Sequence, residues 1–419
     1  MFAAQKIAQA GHEVIILNRD IKPGGLAEYG IYPTKDKMKT GLRKQFAKVL
    51  SLPNVHYIGH VAVANASPVT IADLREFSPS AIVFSVGAQG TKKLGLPGDN
   101  CGGVYCAKDF VYYYNQLPPF ASQDFSVGRR IAIVGMGNVM VDLAHWLLID
   151  DPKHTAEEVI VIARRGPFEA KFDLKEFVYV ERFLDRQAFQ EELKRIQPQL
   201  AAVGQDIAKV AEDTFPILAK PQTPASGRIN RLTITENVLV ERDGNIGCKG
   251  TEKTVDIDVD TMIFAIGDVA DPTLGLPYNK DCYVTCSDVA DPNRPIYEVL
   301  DPPSGKAMDG IYVVGWARKA SEGLVGIARH DGEVGAAGVL NYLETSPEKP
   351  SASYEQVRKH LVSKGLRIVE KPDLEYLARA EEKQAKERGL AWFKFSDDES
   401  MLTAIEQEKS RAVSVVVGS

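Results

Sequence analysis

Short apolar runs recur along the chain, each closed by glycine or polar residues, with stretches of helical spacing between them. Val14-Ile15-Ile16-Leu17, the runs at 81–86, 130–134, 159–163 and 261–266, and Ile311-Tyr312-Val313-Val314 each read as a buried strand. Amphipathic patterns over 2–11, 37–50, 140–146, 185–213 and 326–343 read as helices. Shorter strands are expected near Val55 to Ile58 and at Val61, a tight turn at Pro23-Gly24-Gly25-Leu26, and a proline-rich loop over 216–226. Strand and helix alternate, the signature of an α/β fold with parallel sheets. The proline- and serine-containing stretch 118–128 marks a crossing between domains, and the strand at 261–266 closes the second of them, after which the pattern of the first resumes. The organisation expected is a first domain over 1–117 and 270–348, a second over 118–269 inserted into it, and a mostly helical, charged extension over 349–419 packing on the first. Both domains should be Rossmann-like dinucleotide-binding units.

One element expected of such a domain is missing. The helix over 2–11 should follow a strand and a glycine-rich turn, yet the chain opens inside that helix. Without that strand, its neighbours should expose unpaired edges where a core belongs. Two readings follow: an assigned start downstream of the true one, or a protein with an impaired first nucleotide site.

With 419 residues the chain suits two or three domains. Its 44% hydrophobic and 25% charged content is that of an ordinary globular protein, and no apolar run is long enough to span a bilayer. Fifty basic against 56 acidic residues, a formal net charge of −6, argue against nucleic acid as the main partner. Five cysteines do not make a disulfide framework; they point to a reducing, cytoplasmic setting. Cys101 and Cys106 have the C-x4-C spacing of some redox-active disulfides, but they straddle a Gly-Gly loop after Leu96-Pro97-Gly98 and read better as incidental thiols. The seven histidines have no paired ligand spacing, so no metal site is expected.

The chemistry concentrates at Gly135-Met136-Gly137-Asn138-Val139, between a strand and a helix. Glycines at such a turn let backbone approach a pyrophosphate, and the helix start offers free N–H groups and partial positive charge. Met140 occupies the position where a small residue eases helix packing. The next strand ends in Arg164-Arg165-Gly166-Pro167, where an NAD-preferring site carries an acid for the ribose hydroxyl. Two guanidinium groups there select a 2′-phosphate, hence NADP.

These segments, together with Pro23-Gly24-Gly25-Leu26-Ala27-Glu28-Tyr29-Gly30-Ile31, Phe110 to Asn115, Lys175-Glu176, and Gly315-Trp316 with Gly323-Leu324-Val325, resemble the adrenodoxin-reductase type of ferredoxin–NADP reductase. A more distant similarity links the chain to the NADPH-oxidising subunit of glutamate synthase. The resemblance covers nearly the whole chain, including Tyr354 to Val357 and Leu374 to Leu377 in the tail. It implies NADP contacts at Met136, Gly137, Asn138 and Val139 for the pyrophosphate, at Arg164 and Arg165 for the 2′-phosphate, and at Glu176. For FAD it implies Leu26 and Val61 near the adenosine half, Trp316 against the isoalloxazine, and Gly323, Leu324 and Val325 at the flavin ring. Asn18 stands where similar flavoproteins carry an acid for the ribose; it can still hydrogen-bond, without the charge.

The function implied is electron transfer between NADPH and a ferredoxin-like iron–sulfur carrier through FAD, with no catalytic acid or base because the flavin carries the chemistry. The acidic carriers typical of such systems would dock on a basic surface, for which Lys35, Lys37, Lys39, Arg43, Lys44 and Lys48 form a patch. The alternatives are an NADPH-oxidising module of a larger, glutamate-synthase-like complex and a flavin-deficient NADP-binding relative.

Overall fold

A computed structural model describes residues 1–206, 220–222, 228–242, 244–287, 295–319, 325–347 and 350–417. The chain divides into two compact units. One comprises Met1–Lys92, Tyr114–Ser122 and Gly267–Ser419, the other Lys93–Tyr113 and Gln123–Ile266. The crossing thus falls within the predicted 118–128 stretch. The units differ from the expected boundaries most at residues 93–113, placed in the first domain by the sequence pattern but grouped with the second unit, and by a few residues at 118–122 and 267–269, which fall in the first. The cause is strand pairing, because Val104–Cys106 lies parallel to Met262–Phe264 in the second unit's sheet.

In the first unit, the apolar tetrad Val14–Leu17 pairs in parallel with Val55–Gly59, Val14 opposite Val55 and Leu17 opposite Ile58. On the far side of Val55–Gly59, the two-residue strand Val369–Glu370 from the C-terminal region pairs antiparallel. A second sheet runs Thr285–Ser287, Pro295–Asp301, Lys306–Val313, Ile82–Phe84, the last two parallel. Among the described residues Val14–Leu17 and Ile82–Phe84 each have one strand neighbour, and most of their residues are only half-buried. Both strands nevertheless line common cores. Val14 and Val83 pack with Ile7, Tyr312 and Val339, whereas Ile15, Leu17 and Phe84 pack with Ile58, Val61 and Val313.

The tail is part of this unit. Leu377, Met401, Leu402 and Ile405, from the helices Lys371–Glu387 and Asp398–Val417, bury their apolar faces with Val369 against Ile21.

The second unit is built on a four-stranded parallel sheet in the order Val104–Cys106, Thr261–Phe264, Arg130–Val134, Glu158–Ile162. Central strands of a parallel sheet are covered on both faces, and Ile131, Ala132, Ile133, Met262 and Ile263 are fully buried. The helix Asn138–His145 follows the Arg130–Val134 strand, completing a βαβ unit with Glu158–Ile162. A long antiparallel hairpin pairs Arg231–Arg242 with Asn245–Asp258. The helix expected over 185–213 ends earlier, spanning Arg186–Ala202, with Val203 to Asp206 no longer helical; residues 207–213 and most of the loop over 216–226 lie outside the described residues.

Candidate functional site

The second unit places the glycine turn and the arginine pair at the carboxyl ends of adjacent parallel strands, where α/β sheets bind nucleotides. Val134 and Ile162 are register partners, and the Gly135 N–H donates to the Ile162 carbonyl at 2.8 Å. Gly135 has φ +128°, and a Cβ on it would lie 2.2 Å from the Ala265 carbonyl oxygen, so only glycine fits this close approach between strand ends. Gly137 is different. It is extended, caps the helix Asn138–His145 with no side-chain bond, and a Cβ there would meet nothing within 4 Å. The helix start therefore has no side-chain cap, and the space beside Gly137 is open, an arrangement that can receive an anion.

Met136, Gly137 and Asn138 are half-buried and Val139 is exposed. Met140, the larger residue at the third turn position, is only 2% exposed, so the fold absorbs its bulk entirely. Residues 171–176 are tied to the same turn. The Lys171 N–H donates to the Met136 carbonyl at 2.9 Å, and the Asp173 N–H to Asn138 Oδ1 at 2.6 Å. Asp173 then caps the short helix Leu174–Phe177, which carries the half-buried Glu176 close in sequence to this strap. Arg164 is exposed and Arg165 half-buried; neither guanidinium makes an ion pair among the described residues. Two cations without carboxylate partners among the described residues, just after the strand that neighbours the glycine turn, are groups that a phosphate could use.

In the first unit Asn18 and Val61 are adjacent: the Val61 N–H donates to the Asn18 carbonyl at 2.9 Å. The Val61 side chain is fully buried in the core. The Asn18 amide nitrogen closes the following turn, donating to the carbonyls of Asp20 at 2.8 Å and Lys22 at 3.0 Å. Its side-chain oxygen accepts nothing among the described residues and is free for a ribose hydroxyl. Gly24 and Gly25, both at positive φ, lead into the four-residue helix Leu26–Tyr29 with Leu26 half-buried.

Trp316 follows Gly315, at φ +69°, after the strand Lys306–Val313. Its indole nitrogen is buried and has no hydrogen-bond partner among the described residues. A buried N–H seldom lacks an acceptor in a native structure, so a group that accepts a hydrogen bond belongs beside Trp316. The turn itself is held by Asp331, which accepts from the Gly315 N–H at 2.6 Å and pairs with Arg318, both side chains being buried. Val325 opens the helix Val325–Thr345, half-buried; Gly323 and Leu324 lie outside the described residues.

The basic patch needs correction. Lys39 is 5% exposed and donates to Asn115 Oδ1 at 2.8 Å, and Arg43 is committed to Glu28 through two bonds of 2.7 and 3.0 Å. Its exposed remainder on the helix Asp36–Leu50 is Lys37, Lys44 and Lys48. Nothing local in the sequence marks what Lys39 and Arg43 belong to: a charge cluster with Lys22, Glu28, Glu381 and Lys394, the last two more than 300 residues away in the chain. All five cysteines are free thiols, and no group of metal-binding side chains occurs among the described residues.

No protein-family model matches the chain. The NADPH-ferredoxin reductase FprA of Mycobacterium leprae is 28% identical over 356 residues, 74% of this chain and 73% of that protein. Human mitochondrial NADPH:adrenodoxin oxidoreductase is 26% identical over 429 residues, 93% of this chain and 86% of the relative. The chain is thus similar over most of its length to NADPH-ferredoxin and NADPH:adrenodoxin reductases. Its fold is that of the solved Mycobacterium tuberculosis FprA in complex with NADPH, at 24% identity, with a TM-score of 0.79 over 96% of both chains. No helix among the described residues is long and apolar enough to cross a membrane.

Proposed function

We propose that this chain is an FAD-dependent oxidoreductase that passes electrons between NADPH and a ferredoxin-like iron–sulfur carrier. The observation that carries the reading is the uncapped helix start at Gly137 with two unpaired guanidinium groups at the end of the neighbouring strand. It has the charge and the open backbone that a 2′-phosphorylated dinucleotide requires.

Met136, Gly137, Asn138 and Val139 would hold the pyrophosphate, Arg164 and Arg165 the 2′-phosphate, and Glu176 would help orient the nucleotide. FAD fits the first unit at three points: the free Asn18 oxygen for a ribose hydroxyl, the Gly24-Gly25-Leu26 turn with Val61 for the adenosine half, and the unsatisfied Trp316 N–H for an acceptor on the flavin side. Gly323, Leu324 and Val325 complete that set. When bound, the flavin accepts a two-electron hydride equivalent and releases electrons singly, chemistry no side chain here supplies. The chain's own task is to grip, orient and shield. Asp331 and Arg318 fix the Gly315 turn that presents Trp316.

The carrier would dock by charge on Lys37, Lys44 and Lys48, and the five free thiols fit a reducing compartment such as the cytoplasm. The test is coenzyme choice. Replacing both arginines by alanine should lower kcat/KM for NADPH by about a hundredfold, since each charge-assisted contact contributes about 1.5 kcal/mol. The value for NADH should be unchanged. Equal loss with both coenzymes overturns the 2′-phosphate assignment.

A further inference from the structure

The least expected feature of the first unit is the burial of charge around Glu28. Glu28 is 3% exposed and sits in the middle of the four-residue helix Leu26–Tyr29, immediately after the Gly24-Gly25 turn. Arg43 grips its carboxylate bidentately, Lys394 pairs with Oε1 at 2.8 Å, and Lys22 lies 3.5 Å from the same oxygen while bonding Glu381 at 2.6 Å.

Lys394 does more than neutralise. Its ammonium also donates to the Glu28 backbone carbonyl at 2.9 Å and stands over the Tyr29 ring, 4.7 Å from the centroid. The last carbonyls of any helix lack intrahelical partners, and in a helix of four residues nearly all of them do. A cation at that end satisfies one and complements the dipole. Lys394 arrives from the segment between the two C-terminal helices. Next to it Phe395 packs in the cluster that contains Ile21, and Arg388 covers the Phe393 ring at 4.5 Å. The lysine is thus delivered by a segment anchored beside the residue that precedes Lys22.

We propose that Lys394 is a positioning residue for the flavin: the C-terminal segment sets, through Lys394, the conformation of the turn that presents Gly25 and Leu26 to the adenosine half of FAD. This rests on the assignment of Leu26 to FAD in the functional reading above. Three contacts from one buried side chain, to a carboxylate, a carbonyl and a ring, hold the helix Leu26–Tyr29 in place. Stabilising a binding loop from behind in this way preorganises the contacts in front.

The full-length protein tests it. FAD affinity is measured by flavin fluorescence quenching on the flavin-stripped protein, alongside affinity for 2′,5′-ADP, which reports on the second unit. Lys394→Met should weaken FAD binding roughly tenfold, the equivalent of one lost charge-assisted hydrogen bond, and leave 2′,5′-ADP binding unchanged. Lys394→Arg, which keeps the charge, should recover part of the loss. Should Lys394→Met fail to fold, Lys394→Gln keeps a donor for the Glu28 carbonyl and takes its place with the same expectation. FAD affinity equal to that of the unaltered protein overturns the inference, as does a loss matched by equal weakening toward 2′,5′-ADP. If the unaltered protein itself takes up no FAD, the functional reading fails and this inference falls with it.

Discussion

Two glycines one residue apart separate structural from functional demand. Gly135 lies against the Ala265 carbonyl at positive φ, so Gly135→Ala should cost about 3 kcal/mol through overpacking and strain and lower the thermal midpoint. Gly137 is extended with open space beside it, so Gly137→Ala should leave the midpoint nearly unchanged while weakening NADPH binding, because the methyl occupies the approach of the pyrophosphate. Calorimetry and a coenzyme titration on both variants check the pair; loss of stability in both would mean the turn is purely architectural. Such residues were legible in the sequence because their chemistry is local. A glycine turn between an apolar strand and a helix, and two arginines one strand on, are read from a few consecutive positions. Asn18 was legible as a position but not as a geometry, since its bonds to the 20–22 turn depend on how the chain folds back. The commitments of Lys39 and Arg43 were not legible at all. A lysine facing a distant asparagine looks, in sequence, like any solvated helix charge.

At the scale of elements, the helix Asp36–Leu50 and the segment around Lys394 share an excess of positive charge, the largely buried Lys22, Lys39 and Lys394 with the exposed Arg43, against Glu28 and Glu381. Burial, and then repulsion by Lys394, lowers the Lys39 pKa to about 7; burial lowers that of Lys394 to about 8, against the pull of Glu28. Burial alone would raise Glu28, but Lys22, Arg43 and Lys394 together hold it well below the usual carboxylate range. The two lysines bind fewer protons in the folded than in the unfolded state between about pH 7 and 10.5, so their contribution to stability increases with pH across that window. The opposite holds for Glu28, whose contribution is present above its unfolded value and disappears in strong acid. Thermal midpoints measured from pH 7 to 10 should therefore rise less steeply in Lys39→Met than in the unaltered protein; identical slopes would show that Lys39 is not buried as a cation. Strand identities and helix faces in these elements followed from apolar spacing. The pairing of Val104–Cys106 with Met262–Phe264, which moves residues 93–113 into the second unit, joins strands far apart in sequence and left no local trace.

On the whole molecule, a net charge of −6 coexists with exposed Lys37, Lys44 and Lys48 on one helix. If an acidic carrier docks there, its reduction should slow as salt rises from about 0.05 to 0.5 M, where the screening length falls to a few ångströms, chiefly through KM. Lys37→Glu with Lys44→Glu should remove most of that dependence, and a salt profile unaffected by the double change would place the dock elsewhere. The first unit is assembled from three stretches of chain, and its Glu28 is completed by a lysine 366 positions later. Lys22 and Arg43 reach Glu28 from nearby in the chain, so during synthesis only the third cation of its set arrives late. The second unit, finished by Ile266, can settle early, whereas the first needs its C-terminal segment before the ionic centre is whole. A chain cut before Lys394 keeps the Glu28 carboxylate buried with one partner fewer, so damage far along the chain is felt at its opening turn.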